Sequence, residues 1–336
     1  VNQGICYNAR IITQKKNNPK DYQILNLKKG KNMKIAMLGL GKMGGNMAAR
    51  LIRNGHEVVG YDTSQEVITK LEKTEKLIPS SSVKDAISKL EGQKIVWMML
   101  PAGEITKKQI ADLIPLLNKG DIIVDGGNSN FKQSVKMGSM LEEYDIGFMD
   151  CGTSGGVWGL DNGYCLMVGA SLEVAKAVEP ILRALAPTPQ TGWLHVGPIG
   201  SGHFTKMIHN GIEYGMMESF AEGLELLKGR EEYAINIADV TELWRHGSVV
   251  RSWLLDLTAE ALKGDQDLDK IEPFVADSGE GRWTAVEAIE QGIPAPVLTQ
   301  ALQVRFRSQE KSKGYGYKIL SIMRNAFGGH VMKKKG

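Results

Sequence analysis

The sequence predicts an α/β fold: a Rossmann-type, doubly wound parallel sheet in the N-terminal half, followed by an all-α C-terminal half. Three observations carry this. A short apolar stretch runs straight into a glycine turn and then a helical pattern at 34–54, strand and helix patterns alternate from there to Gly197, and beyond Gly197 only long helical patterns follow. The 336 residues are enough for two domains. The expected division is a disordered extension over 1–32, a sheet domain over 33–197 and a helical domain with a C-terminal tail over 198–336.

Lys34 to Leu38 has the short apolar run of a strand buried on both faces. Gly39-Leu40-Gly41-Lys42-Met43-Gly44 follows at once, and then an apolar-periodic helix that ends at Asn54-Gly55. In such a turn the first glycine allows the bend, the second lets the backbone approach a pyrophosphate, and the third lets the helix pack close. The helix N-terminus meanwhile offers unpaired N–H groups to the phosphate. Gly39, Leu40, Gly41, Met43 and Gly44 are therefore candidate contacts for a dinucleotide. A second strand, Glu57 to Tyr61, ends in Asp62, where an acidic residue accepts hydrogen bonds from the adenosine ribose. A carboxylate there repels a 2′-phosphate and Thr63 is not the arginine that would welcome one, so NAD is expected ahead of NADP. The plainer reading is that Asp62 or Thr63 starts the next helix, since Thr63 and Glu66 have capping-box spacing.

The alternation continues with a strand at 94–100, a helix at 104–117, a strand at 121–125, a helix at 131–144 and strands at 146–150 and 164–168. A helix at 172–186 and a short strand at 194–196 complete it. Ligands in such sheets sit beyond the carboxyl ends of the strands. Pro101-Ala102-Gly103, Gly126-Gly127-Asn128-Ser129 and Gly152 to Gly156 are thus expected to line one crevice, although Gly, Asn and Ser are also ordinary turn formers.

Composition narrows the class. A charged fraction of 24% beside 42% hydrophobic residues is that of a soluble globular enzyme, and apolar runs such as Ile95 to Leu100 are far too short to cross a bilayer. Cys6, Cys151 and Cys165 form no CxxC pair, which argues against a disulfide framework or a cysteine zinc site and fits a reducing cytoplasm. Residues 1–32 hold seven Lys or Arg against one Asp, a local +6, so the rest of the chain carries −3 of the net +3. This stretch has no apolar core of a signal peptide and no helical period. It reads as upstream sequence translated in frame, with Met33 the natural start. The rival reading is a basic arm for nucleic acid; no nucleic acid or membrane partner is expected.

In the helical half, the pattern from Gly200 to Lys228 carries Lys206, His209, Asn210, Glu213 and Tyr214 at spacings that place them on one helix face, with Met207, Ile208, Ile212, Met216, Met217 and Phe220 on the others. The bland account is a solvated stripe whose members pair across one turn. A cation, an imidazole, an amide, a carboxylate and a phenol on one apolar helix instead read as an active-site face, each with its own hydrogen-bonding task. His209 and Glu213 could share a metal, but no further ligand is placed to complete a shell, so no metal is expected. A decarboxylation without metal needs an organic electron sink. Oxidation of a 3-hydroxy acid supplies one, because the new ketone lies β to the carboxylate and a cation such as Lys206 can hold its oxygen. If burial lowers its pKa, Lys206 can first act as base toward the hydroxyl.

From Met33 almost to the C-terminus the chain resembles the 6-phosphogluconate dehydrogenases, a branch of the β-hydroxyacid dehydrogenases. Gly127-Asn128-Ser129, Ser154-Gly155-Gly156 and Lys206-Met-Ile-His209-Asn210-Gly-Ile-Glu213-Tyr214 carry the resemblance; the hydroxyisobutyrate branch has an Asn-Asn pair where His209-Asn210 stands. The resemblance implies that Lys206 takes the C3 hydroxyl proton as hydride leaves, then polarises the keto oxygen during loss of CO₂. Glu213 then protonates C1 of the enediol. Asn128, Ser154, Gly155, Gly156, His209 and Asn210 would hold the sugar acid, with Asn128 also near the nicotinamide, and Tyr214 and Arg305 would bind the phosphate. The product would be ribulose 5-phosphate, a step of the pentose phosphate pathway. Arg324-Asn-Ala-Phe327-Gly328-Gly-His330 has the spacing of the family's tail motif, whose Arg and His reach into the neighbouring subunit's site. That implies a homodimer or homotetramer, whereas the residues alone would read as a frayed basic end beside Lys333, Lys334 and Lys335.

There are departures. The family's longer members carry Lys-Gly-Thr-Gly-Lys-Trp where this chain has Ser278-Gly279-Glu280-Gly281-Arg282-Trp283, so a phosphate-binding lysine is lost. Ser278 keeps a donor, Arg282 stands at the second lysine, and Glu280 adds a charge expected to oppose phosphate. The helical half has room for only about half of the long form, and the chain looks like the short form. Two rivals remain in view: an enzyme acting on a small unphosphorylated 3-hydroxy acid, opposed by His209, Asn210 and Arg305, and a dinucleotide-sensing protein without chemistry, opposed by the intact Lys206 and Glu213.

Overall fold

The computed structural model describes residues 32–310 and 313–334. The expectation for residues 1–32 therefore lies, except for Asn32, outside the described residues. The chain enters a strand at once and alternates: β1 (Lys34–Leu38), α1 (Lys42–Arg53), β2 (Glu57–Tyr61), α2 (Gln65–Glu75), β3 (Ile78–Pro79), α3 (Val83–Ser88), β4 (Ile95–Met98) and α4 (Glu104–Leu113). It continues through β5 (Ile122–Asp125), α5 (Phe131–Glu142), β6 (Gly147–Ser154), α6 (Gly159–Asn162), β7 (Cys165–Ala170), α7 (Leu172–Leu185) and β8 (Trp193–Gly197). The strands form one sheet in the order β3-β2-β1-β4-β5-β6-β7-β8. Neighbours are parallel except for β6 and β7, which run antiparallel.

Both faces of the sheet are covered, which is why its strands read as unbroken apolar runs. Successive side chains point to opposite faces. Ile35, Met37, Ile95, Trp97 and Val124 pack with Met47 and Leu51 of α1 and Leu182 of α7. Ala36, Leu38, Val96, Met98 and Ile123 pack on the other side with Ile110 and Leu113 of α4 and Leu141 of α5.

The structure differs from the sequence expectation at identifiable places. β6 does not stop at Asp150 but runs on to Ser154, because its second half finds an antiparallel partner in β7, with Ser154 opposite Cys165. The helix after β2 is capped at Ser64 rather than at Asp62 or Thr63, and Asp62 supports it by accepting the Ser64 N–H at 2.8 Å. β3, two residues ending at Pro79, and the six-residue α3 carry too little pattern to stand out.

After Gly197, α8 (Ser201–Gly229) runs for 29 residues. The helices that follow are shorter than the long patterns expected: α9 (Ile237–Trp244), α10 (Trp253–Leu262), α11 (Glu280–Gln291), α12 (Pro296–Ser308) and α13 (Tyr315–Gly328). Gly292, left-handed at φ 66°, ends α11, and Pro294 and Pro296 keep the next turn from joining it. Met217, Ala221 and Leu224 of α8 form a third core with Ile237 of α9, Leu262 of α10 and Ile319, Leu320 and Met323 of α13. Among the described residues no helix is long and apolar enough to cross a membrane.

Candidate active site

The start of α8 is held against the sheet by a residue that the sequence did not single out. Asp150, fully buried in β6, accepts the backbone N–H of Gly200 at 2.6 Å and of His203 at 2.7 Å. These are N–H groups that a helix start leaves without partners, and a carboxylate there also suits the helix dipole. Burial pushes the Asp150 carboxyl up, and His203 and the two N–H groups oppose that push. The helix can come this close because Gly152 has no side chain: a Cβ there would lie 2.4 Å from the Cβ of Lys206.

The polar stripe of α8 opens into a cavity of about 780 Å³, lined by Lys206, His209, Asn210, Glu213 and Tyr214 together. Both accounts of the stripe hold in part. Lys206 Nζ donates to Asn210 Oδ1 at 2.6 Å, and His209 Nδ1 lies 4.0 Å from Glu213 Oε2, so pairs do form across a turn. But the stripe is not solvated, since Lys206 is only 6% exposed. Burial lowers the lysine's pKa, against the pull of Glu280, Glu213 and Cys165. Burial raises the Glu213 carboxyl, against the pull of Lys206 and Arg305. His209 is held down by burial and by Lys206. Its other nitrogen lies 3.4 Å from Ser154 Oγ, at the end of β6, and Gly155 and Gly156 continue that wall. Of the apolar residues assigned to other faces, Ile208, Ile212 and Met216 also reach the cavity rim.

At the far end the cavity is cationic. Arg305, 2% exposed on α12, stacks 3.2 Å above the Tyr214 ring, and burial beside Arg324 pushes its pKa down to about 10. Tyr214 OH lies 3.2 Å from Ser278 Oγ. Arg324 of α13 and His330 line the same cavity, and burial with Arg324 and Arg305 nearby pushes His330 down to about 4. The resemblance implied that these two would enter a neighbour's site. In this structure they line the cavity of their own chain, because α13 packs along α8 and its last residues, Phe327 and Gly328, lie against Gly156. Trp158 Nε1 donates to Ala326 O at 2.9 Å and Lys42 Nζ to Gly329 O at 3.1 Å, fixing that path.

The Ser278–Trp283 segment places its two charged side chains apart. Arg282 does not join the cationic end; it turns to Asp277 and stacks 4.4 Å from the Phe306 ring centre. The Glu280 carboxylate accepts a close hydrogen bond from Asn210 Nδ2. Nothing in the sequence marked Glu280 for this, since the pairing joins residues on different helices.

A second cleft, of about 660 Å³, lies over the carboxyl ends of β1, β2, β4 and β5. Gly39, Gly41, Met43 and Gly44 line it with Asp62, Pro101, Gly126, Gly127 and Asn128. Leu40 contributes through its backbone, donating its N–H to Asp62 Oδ2 at 2.6 Å, while its side chain is buried. The expected single crevice forms only in part: Pro101, Gly126, Gly127, Asn128 and Thr153 line this cleft, Ser154, Gly155 and Gly156 line the α8 cavity beside it, and Gly103 and Ser129 face a separate small pocket. The cradle suits a dinucleotide. A Cβ on Gly39 would strike the Met99 carbonyl at 2.4 Å, whereas one on Gly41 would meet nothing within 4 Å, which leaves open space at the helix N-terminus. The cleft and the α8 cavity meet at Met43, Asn128 and Thr153, which line both. Among the described residues no cluster of three or more His, Cys, Asp or Glu is arranged to hold a metal.

This geometry has known counterparts. Residues 34–197 match the family model described as the NAD binding domain of 6-phosphogluconate dehydrogenase, and residues 202–334 match that of the 6-phosphogluconate dehydrogenase C-terminal domain. YqeC of Bacillus subtilis is 42% identical over 303 residues, covering 90% of this chain and 100% of that protein. The NAD(+)-dependent, decarboxylating 6-phosphogluconate dehydrogenase of Haloferax volcanii is 38% identical over 305 residues, covering 90% of this chain and 99% of that one. The solved 6-phosphogluconate dehydrogenase of Plasmodium falciparum superposes with a TM-score of 0.77 at 30% identity, over 83% of this chain but only 62% of that longer one. With a nicotinamide-dinucleotide cleft, a Rossmann-like sheet and a helical second half, the chain belongs to the 6-phosphogluconate dehydrogenase family.

Proposed function

We propose that this protein oxidises and decarboxylates 6-phospho-D-gluconate to D-ribulose 5-phosphate and CO₂, using NAD in preference to NADP. The observation that carries the proposal is one cavity holding a desolvated lysine and a desolvated glutamate side by side, with an arginine-rich end beyond them and the dinucleotide cleft opening beside them.

A nicotinamide dinucleotide in the cleft supplies the hydride acceptor. Lys206, which burial favours in its unprotonated form, takes the proton of the C3 hydroxyl. The resulting ammonium then donates to the C3 keto oxygen, where charge builds as CO₂ leaves C2 with its bonding electrons behind. Glu213, whose carboxyl burial pushes up, delivers its proton to C1 of the enediol. Asn128, Ser154, Gly155, Gly156, His209 and Asn210 hold the sugar acid along the wall from β6 to α8. Tyr214, Arg305, Arg324 and His330 take the phosphate, and Ser278 stands in for the absent lysine. Asp62 holds the ribose and repels a 2′-phosphate, as the NAD-dependent Haloferax relative supports.

The proposal extends to a homodimer. Ile212 and Met216 of α8, Val286 and Ile289 of α11 and Val297 of α12 are exposed apolar side chains on helices that pack together, and a second copy would bury them. Free thiols at Cys151 and Cys165 suit a cytoplasmic location. The test is nicotinamide reduction with 6-phosphogluconate, NAD and NADP supplied separately and CO₂ trapped. Equal amounts of reduced cofactor and CO₂, formed faster with NAD, are expected; cofactor binding without reduction would overturn the proposal.

A further inference from the structure

Glu280 stands where the longer relatives' segment has threonine, and it is an ionisable side chain only 8% exposed. A carboxylate is not buried without partners at small cost. Its partner is Asn210 Nδ2, and Asn210 Oδ1 in turn accepts from Lys206 Nζ at 2.6 Å and lies 3.0 Å from His209 Nδ1. The amide thus stands between a carboxylate and an ammonium, each at the end it can bind.

The backbone beneath Glu280 is fixed as firmly. It is the first residue of α11, and one turn later Thr284 Oγ1 donates to the carbonyl of Met207 in α8 at 2.9 Å. Gly281 lets the helix start approach Tyr214: a Cβ there would lie 2.4 Å from the ring. The charged and titratable groups around the pair come from every packed element: Lys206, His203, His209 and Glu213 on α8, Arg305 on α12, Arg324 on α13 and Cys165 on β7. Of those acting on Lys206, Glu280 opposes the effect of burial most strongly.

We propose that Glu280 is a positioning residue for Lys206: its carboxylate holds the Asn210 amide so that Oδ1 faces the lysine, and it places its negative charge one amide away from the lysine's Nζ. This rests on the reading of Lys206 as the base of a 6-phosphogluconate dehydrogenase. The threonine of the longer relatives' segment could accept from the amide but carries no charge, so the short form would tune its base by different means.

The test compares the full-length wild type with Glu280→Gln and Glu280→Asp. The pH dependence of kcat/KM is measured for 6-phosphogluconate with NAD. Lys206 is also titrated without turnover, by the rate of its acetylation at each pH read at peptide level. Circular dichroism and calorimetric NAD binding establish that each variant is folded. Removing an opposite charge at this range lowers a lysine pKa by about one unit or more. In Glu280→Gln the acidic limb and the acetylation midpoint should both move to lower pH by about that much, with NAD affinity unchanged. Glu280→Asp, which keeps the charge, should leave the midpoint near that of the wild type and lose kcat instead. A folded Glu280→Gln with an unmoved midpoint, or equal shifts in both variants, overturns the proposal. A wild type without turnover whose midpoint still moves in Glu280→Gln would sink the functional reading and leave the positioning role standing.

Discussion

The carboxylate of Asp62 accepts the backbone N–H of Leu40 at 2.6 Å, tying the end of β2 to the turn that follows β1. Its other oxygen accepts from Ser64. A carboxylate has lone pairs left after two such bonds, so ribose hydroxyls can still be held. Asp62→Ala should therefore do two things at once. It should relax the ratio of NAD to NADP use, measured as kcat/KM for each, and it should cost about 1–3 kcal/mol of stability in urea unfolding, because two backbone donors lose their acceptor. An unchanged cofactor ratio would refute the role of its charge.

In the proposed reaction Lys206 and Glu213 set the pH profile. Falling pH protonates Lys206 and removes the base; rising pH deprotonates Glu213 and removes the acid. With ordinary values a neutral lysine and a protonated glutamate would almost never coexist, but burial lowers one and raises the other. A bell-shaped kcat/KM is expected, its acidic limb due to Lys206 and its alkaline limb to Glu213. Lys206→Met should still bind substrate while turnover falls by about 10²–10⁴-fold or more. Appreciable turnover in that variant would count against the assignment.

Arg305 should govern substrate affinity. Replacing it with Met keeps bulk beneath the Tyr214 ring but removes the buried cation. KM for 6-phosphogluconate is expected to rise by about tenfold or more, each tenfold being about 1.4 kcal/mol, with NAD affinity intact. An equal loss of NAD binding would instead point to misfolding of the α8–α12 contact.

Gly152→Ala tests the close approach beneath the lysine. The added Cβ would sit 2.4 Å from that of Lys206, with the Gly202 carbonyl at 2.9 Å, so α8 must shift. Overpacking of this kind costs about 1–3 kcal/mol. A lower melting temperature and a fall in kcat greater than the change in NAD affinity are expected; a fully active variant would show that α8 tolerates displacement.

Much of this was legible in the chain itself. The glycine turn, Asp62 and the i, i+3, i+4 stripe of α8 depend on local spacing, and local spacing is what a sequence displays directly. The extra length of β6 was not legible, because only pairing with β7 makes Cys151 to Ser154 a strand. Asp150 looked like the end of a strand and proved to be the anchor of a helix 50 residues later. The partner of Glu280 was hidden for the same reason: it is Asn210, 70 positions earlier and on another helix. The path of Arg324 and His330 was likewise a matter of how α13 lies along α8, which no periodicity in either helix records.

That packing also has a consequence for synthesis. Met217, Ala221 and Leu224 of α8 are covered by Ile319, Leu320 and Met323 of α13. A growing chain makes α8 about a hundred residues before the helix that shelters its apolar side. Through that interval the sheet half can already be folded while α8 waits with an uncovered flank, so newborn chains should be most dependent on chaperones between the appearance of α8 and that of α13.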